Sequence, residues 1–238
     1  MIRNLVAASA LALVAGSAQA TVFSDTAGDV FTGAGGGILD ILSTEVTNDA
    51  SNIYFTLTLA GDVQGTDWGK YMVIMDTAPG GDTAGNGWGR PISLASGADH
   101  WIGSWVDSGN GAQLFEYSGG AWNGIGANGP FAGPGGSPAS DPNVGVSKTQ
   151  FTVTLQASLA SLGLSVGEVV QFDAFTSGGG GGDGPVDSAA NPDFSIFDWG
   201  NSYVAGGANP VLTYTIIPTP GAAGLVGVAG LVALRRRR

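Results

Sequence analysis

Three aspartates near the start of the chain carry the clearest chemistry. Asp25-Thr26-Ala27-Gly28-Asp29 is followed by Leu39-Asp40-Ile41. Calcium takes about six to eight oxygens, drawn from carboxylates, backbone carbonyls and water. Gly28 permits a tight backbone turn between the first two carboxylates. If that loop folds back onto the strand start at Asp40, then Asp25, Asp29 and Asp40 converge on one cation, and calcium is the expected cofactor. The competing reading is a set of ordinary Asp-Gly turns on a solvated face. Asp76 to Asp82 and Gly178 to Asp187 are also rich in Asp and Gly. The latter loosely matches the nonapeptide calcium repeat, but that architecture needs stacked copies, so both stretches read as loops.

Aromatic residues supply the second chemistry. Saccharide rings stack on flat aromatic faces, which offer apolar area in a fixed geometry. Of the six tryptophans, Trp68 and Trp88 lie in polar, Gly-rich contexts (TDWGK and NGWGR). Arg90 follows Trp88 closely and can donate to sugar hydroxyls. Trp68, Trp88 and Arg90 are therefore the expected ligand-binding residues, with an extracellular polysaccharide as partner. Trp101 and Trp105 share a strand face and are expected in the core.

Catalysis is poorly supported. His100 is the single histidine, so His-clustered metal sites are excluded. A glycosidase needs only two carboxylates at the right separation, yet nothing singles out a pair among the nineteen acids. The expectation is a protein that is not an enzyme.

Charge and composition narrow the partners. Every acid lies between Thr21 and Ile217, where the bases are Lys70, Arg90 and Lys148 alone, for a formal charge of 3 − 19 = −16. Such a surface repels nucleic acid, whose phosphates are bound by Lys and Arg, and attracts cations. With no cysteine, stability must come from the core or from bound metal. Glycine is abundant at 42 residues, without a collagen-like period.

The elements that would position these residues are strands. Asn52 to Leu59 alternates, with Ile53, Phe55, Leu57 and Leu59 on one face. Gln150 to Leu155 and Val211 to Ile216 repeat the pattern. Lys70 to Asp76 and Glu168 to Thr176 are continuously apolar, as central strands are, and His100 to Val106 and Ala112 to Tyr117 are further strands. Only Ala157 to Leu164 reads as helical. Gly124 to Asn143 and Ser177 to Pro192 read as long loops. Short strands joined by Gly-rich turns predict an all-β, antiparallel β-sandwich.

The ends carry targeting signals. Arg3 precedes an apolar run from Leu5 to Gly16, and Ser17-Ala18-Gln19-Ala20 offers small residues to signal peptidase. The run is shorter than the roughly 20 residues a membrane span needs. At the other end Pro218-Thr219-Pro220-Gly221 precedes a small, apolar segment closed by Arg235, Arg236, Arg237 and Arg238. That tail resembles the PEP-CTERM sorting signal of exosortase substrates, with Thr219 in place of the family's Glu. The resemblance covers about the last 21 residues. It implies a short membrane-associated helix, processing by an exosortase-type enzyme, and a protein delivered to the cell surface or beyond. The expected organisation is signal peptide 1–20, with a signal helix, ectodomain 21–217, and sorting segment 218–238.

The middle resembles the DOMON-like sandwiches, which include family 9-type carbohydrate-binding modules. Asp25 to Asp29 with Asp40, the strand and loop Tyr71 to Pro79, and Ala98 to Val106 with the hairpin Gln113 to Trp122 carry the likeness. It implies an extracellular recognition fold, commonly calcium-stabilised. The expected function is thus a non-enzymatic, glycan-binding surface domain. The alternative is a structural matrix or surface-layer protein with no discrete ligand.

Overall fold

The computed structural model describes residues 20–31, 33–107, 109–127, 141–193 and 198–218. The expected signal helix and C-terminal apolar helix, with Thr219, Pro220, Gly221 and Arg235 to Arg238, lie outside them. Pro218 is described and exposed. Among the described residues no helix is long and apolar enough to cross a membrane.

The chain is all-β, with two antiparallel sheets enclosing one core. The first sheet has five strands. β1 (Thr21–Ser24) pairs with β2 (Ile41–Asn48), β2 with β3 (Asn52–Leu59), and β3 with β10 (Thr152–Ser158), which pairs in turn with β9 (Val144–Lys148). The second sheet runs in the order β12 (Pro185–Ser188), β11 (Val169–Ser177), β4 (Lys70–Asp76), β6 (His100–Trp105), β7 (Gly111–Ser118), β8 (Ala121–Ala127). β14 (Leu212–Thr215) joins β11 beyond β12. A small parallel pair, β5 (Ile92–Leu94) and β13 (Tyr203–Ala205), completes the set.

Alternation produces the inner faces. Ile53, Phe55, Leu57 and Leu59 of β3 are all buried. Phe172 of β11 meets them from the other sheet, with ring centroids 5.1 Å from Phe55 and 5.7 Å from Phe23. Burying a ring of this size contributes about 1.5–3 kcal/mol. The continuous apolar run of β4 has a different cause. Tyr71, Val73 and Met75 face the inter-sheet core, while Met72 and Ile74 face a second cluster with Trp101, Phe175, Ile92, Leu94 and Tyr203. β5 and β13 therefore roof the outer face of the second sheet, and both sides of β4 are dry.

Trp101 is fully buried in that outer cluster, while Trp105 is half-buried on the same strand face. The hairpin of β7 and β8 turns through Gly119 and Gly120, at φ 63° and 80°. Both are positive, as a two-residue hairpin of the right twist requires, and β8 is the sheet edge.

The expected helix at Ala157 to Leu164 is absent. Ala157 pairs with Ile53 on one side and Val144 on the other, and the chain then passes through turns, with Leu164 N donating to Leu159 O at 2.9 Å. Two helical turns are too short to repay nucleation, whereas two strand neighbours satisfy the backbone at once. The expected loops also contain strands. β8 occupies the start of the first tract, whose residues 128–140 lie outside the described residues, and β12 occupies part of the second.

Candidate metal centre

Asp25 follows β1 and continues its ladder, its N donating to Leu42 O at 3.0 Å. The loop then turns at Gly28, where φ is 82°, and Gly28 N donates to Asp40 Oδ2 at 2.9 Å. That bond folds the loop onto the start of β2, the condition under which the sequence brings these carboxylates together. The structure adds a fourth carboxylate from the opposite sheet. Asp187 of β12 is fully buried, and its Oδ2 accepts from Ile41 N at 2.6 Å while Oδ1 accepts from Ser188 N at 2.8 Å.

Oxygens of Asp25, Asp29 and Asp187 lie within 4.8 Å of one another. Two oxygens on one calcium, each at about 2.3–2.6 Å, are separated by at most about 5 Å, so the three fit a shared ion. Asp40 is 5 % exposed and borders the group. Four of the cluster's carboxylate oxygens are buried without a hydrogen bond: Asp25 Oδ2, both oxygens of Asp29, and Asp40 Oδ1. Buried carboxylate oxygens are costly to leave unmet, and a bound cation would meet them together. The donor set is all oxygen and anionic, which suits a hard cation and not a soft one.

Electrostatics point the same way. Burial pushes Asp25 up to about 7, with Asp29, Asp40 and Asp193 adding like charge against the Thr26 N–H. Asp29 is raised to about 6, chiefly by burial and then by Asp40 and Asp193. Asp187 is raised well above the ordinary range by burial, Asp25 and Asp29. A folded-state pKa above the unfolded value means that the folded state holds the proton more tightly. Stability is then present below the unfolded pKa and lost as pH rises through the folded one. In chelator, the melting temperature is expected to fall between about pH 4 and about pH 7, the window set by 3.8 and the raised values of Asp25 and Asp29. Saturating calcium should flatten that fall, because the ion replaces the protons. A melting temperature in chelator that rises across this window would contradict the assignment.

Asp187 is the residue the sequence reading missed. It stands in the Gly178 to Asp187 stretch, which read as a loop, and only the pairing of Thr176 with Asp187 reveals the strand.

The expected sugar-binding residues do not form one platform. Trp68 is 36 % exposed and packs edge-on to Trp199, which also meets Phe31. Trp88 sits instead on the outer cluster against Trp101, its Nε1 donating to Gln113 Oε1 at 2.7 Å. Arg90 is buried. Its guanidinium donates to Ser177 Oγ, Asp183 O and Gly178 O at 2.7, 2.8 and 3.2 Å, and burial lowers its pKa. With its head group committed to the Ser177 to Asp183 segment, Arg90 clamps a loop and is not free for hydroxyls. Of the three, Trp68 is exposed, Trp88 is half-buried and Arg90 is buried.

Fold and site define a two-sheet, all-β protein with a carboxylate cluster joining the sheets at one edge. No protein-family model matches the chain, and no curated protein matches it.

Proposed function

We propose that this is an exported cell-surface protein whose β-sandwich is a non-enzymatic recognition domain stapled by calcium. The carrying observation is the convergence of Asp25, Asp29 and Asp187, from both sheets and bordered by Asp40, with four buried oxygens unmet. A cation there would link β1 and β2 to β12 and stand in for the disulfides that this cysteine-free chain lacks. Residues 1–20 serve as the export signal, and 218–238 as an exosortase-type sorting segment held transiently in the membrane. The DOMON-like resemblance and the exposed Trp68 support recognition of an extracellular polysaccharide.

The test combines cell fractionation with polysaccharide capture. The chain is expected in the envelope or the medium, and retained on at least one immobilised neutral polysaccharide in calcium but not in chelator. Intact chain confined to the cytoplasm would overturn the export reading. Failure to bind any polysaccharide, with the fold intact, would favour a purely structural surface protein.

A further inference from the structure

Both ends of the sandwich emerge at one corner. Ala20 and Thr21, entering β1, line a groove of about 250 Å³ together with Thr213, Tyr214, Thr215 and Ile217 at the end of β14. The last residues of the domain are fastened there. Asn48, closing β2, accepts through Oδ1 from Ile217 N at 3.0 Å and from the Tyr214 hydroxyl at 2.8 Å, and its Nδ2 donates to Ile217 O at 3.0 Å. Ile216 O accepts from Gly167 N at 2.8 Å, and Ile216 N donates to Glu168 O at 2.9 Å. The fold therefore grips the chain up to Ile217 and leaves no slack before Pro218.

The same corner carries an apolar collar. Among the described residues six large hydrophobic side chains are exposed, and Val22, Val166 and Val169 are three of them. Val22 follows Thr21, Val169 pairs with Thr215, and Val166 precedes the Gly167 that bonds Ile216. The acids beside the collar are Glu45, which pairs with Val22, Asp49, which follows Asn48, and Glu168. They repel an anionic lipid surface and tolerate a zwitterionic one.

Chain length limits how far this corner can stand from a membrane. Residues 222–234 are wholly small and apolar and are followed by the four arginines. The stretch from Ile217 to Ala222 reaches at most about 18 Å when fully extended. The headgroup layer it must cross is itself about 5–8 Å deep.

We infer that the corner formed by Val22, Val166, Val169 and Ile217 is a lipid-facing surface, seated on the headgroups of a zwitterionic bilayer. This rests on the membrane-held reading of 218–238 above and names the face of the domain that meets the lipid. β2 runs from the metal centre at Ile41 to this corner at Asn48, about 23 Å at roughly 3.3 Å per residue. The metal centre is thus carried on the end that points away from the bilayer.

The chain has no cysteine, so a single introduced thiol reports one site. Full-length Val166→Cys and Val22→Cys are labelled with an environment-sensitive fluorophore. Thr66→Cys is the distal control, exposed in the loop after β3 at the metal end. Each protein is mixed with phosphatidylcholine vesicles bearing a nitroxide on the headgroup. The chain is expected to float with the vesicles, with both corner fluorophores quenched at least about twofold more than the control. A spacer of about twelve Gly and Ser residues inserted after Ile217 should erase that contrast, because it restores slack. Vesicle-bound chain whose corner fluorophores are quenched no more than the control would overturn the inference and leave the membrane reading standing. Chain that stays in the lipid-free fraction would overturn both.

Discussion

Calcium added to chelator-stripped protein is expected to raise its melting temperature by about 5–10 °C. At a concentration a hundred times Kd, a ligand confined to the folded state stabilises by about 2.7 kcal/mol, and each kcal/mol shifts a domain of this size by about 2–4 °C. Asp29→Asn sharpens the test. Neither oxygen of Asp29 accepts a hydrogen bond from another residue, so the amide forfeits no contact beyond its own backbone N–H while one negative charge leaves a crowded cluster. In chelator the variant should therefore melt no lower than the parent, and higher where Asp25 and Asp40 are ionised. In calcium it should lose most of the increment, since a ligand is gone. An Asp29→Asn protein that melts well below the parent in chelator, or that keeps the full calcium increment, would show that the cluster is structural and not a cation site.

Arg90→Ala is expected to cost about 3 kcal/mol, because removing one partner strands buried acceptors that no longer reach water. Ser177 Oγ, Asp183 O and Gly178 O would all lose the guanidinium. The melting temperature should drop by about 6–12 °C. Arg90→Lys should recover little, since a single ammonium cannot reproduce the planar fork that reaches three acceptors. Urea denaturation of both variants measures the loss. A change below about 0.5 kcal/mol, the range of unremarkable surface substitutions, would instead return Arg90 to the surface role its sequence context suggests.

Arg90 illustrates where the sequence stops informing. Its neighbours in NGWGR are polar and small, so exposure is the natural inference. Its burial comes from Ser177 to Asp183, almost ninety positions away, and nothing local encodes that pairing. Asp187 is the same lesson in the metal centre. Asp25 and Asp29 share one loop next to the strand start at Asp40, so their nearness was legible as a possibility that depends on the loop folding back. Asp187 arrives from β12, bonded to Ile41 across 146 positions. The long strands β3, β4, β6, β7 and β11 declared themselves by alternation or by doubly buried apolar runs. The short β5, β12 and β13 could not, because three or four residues carry too little periodicity. The misread helix at Ala157 to Leu164 shows tertiary pairing overriding local propensity.

The aromatic and polar surfaces follow the same rule. The tryptophans that look exposed in the sequence are split between two clusters, while a polar cleft gathers around His100. Its partners Glu116, Thr77 and Ser161 lie on three separate segments. Strand register places Glu116 opposite His100, and register is a property of the sheet and not of either strand alone.

The central claim is that the four aspartates hold a divalent cation. The most direct measurement is isothermal titration of chelator-stripped, full-length protein with calcium chloride near neutral pH, alongside Asp25→Asn and Asp29→Asn. The account predicts saturable binding of one calcium per chain, accompanied by proton release and greatly weakened in both variants. Absence of binding heat at any accessible calcium concentration, or binding of equal strength in the variants, would contradict it.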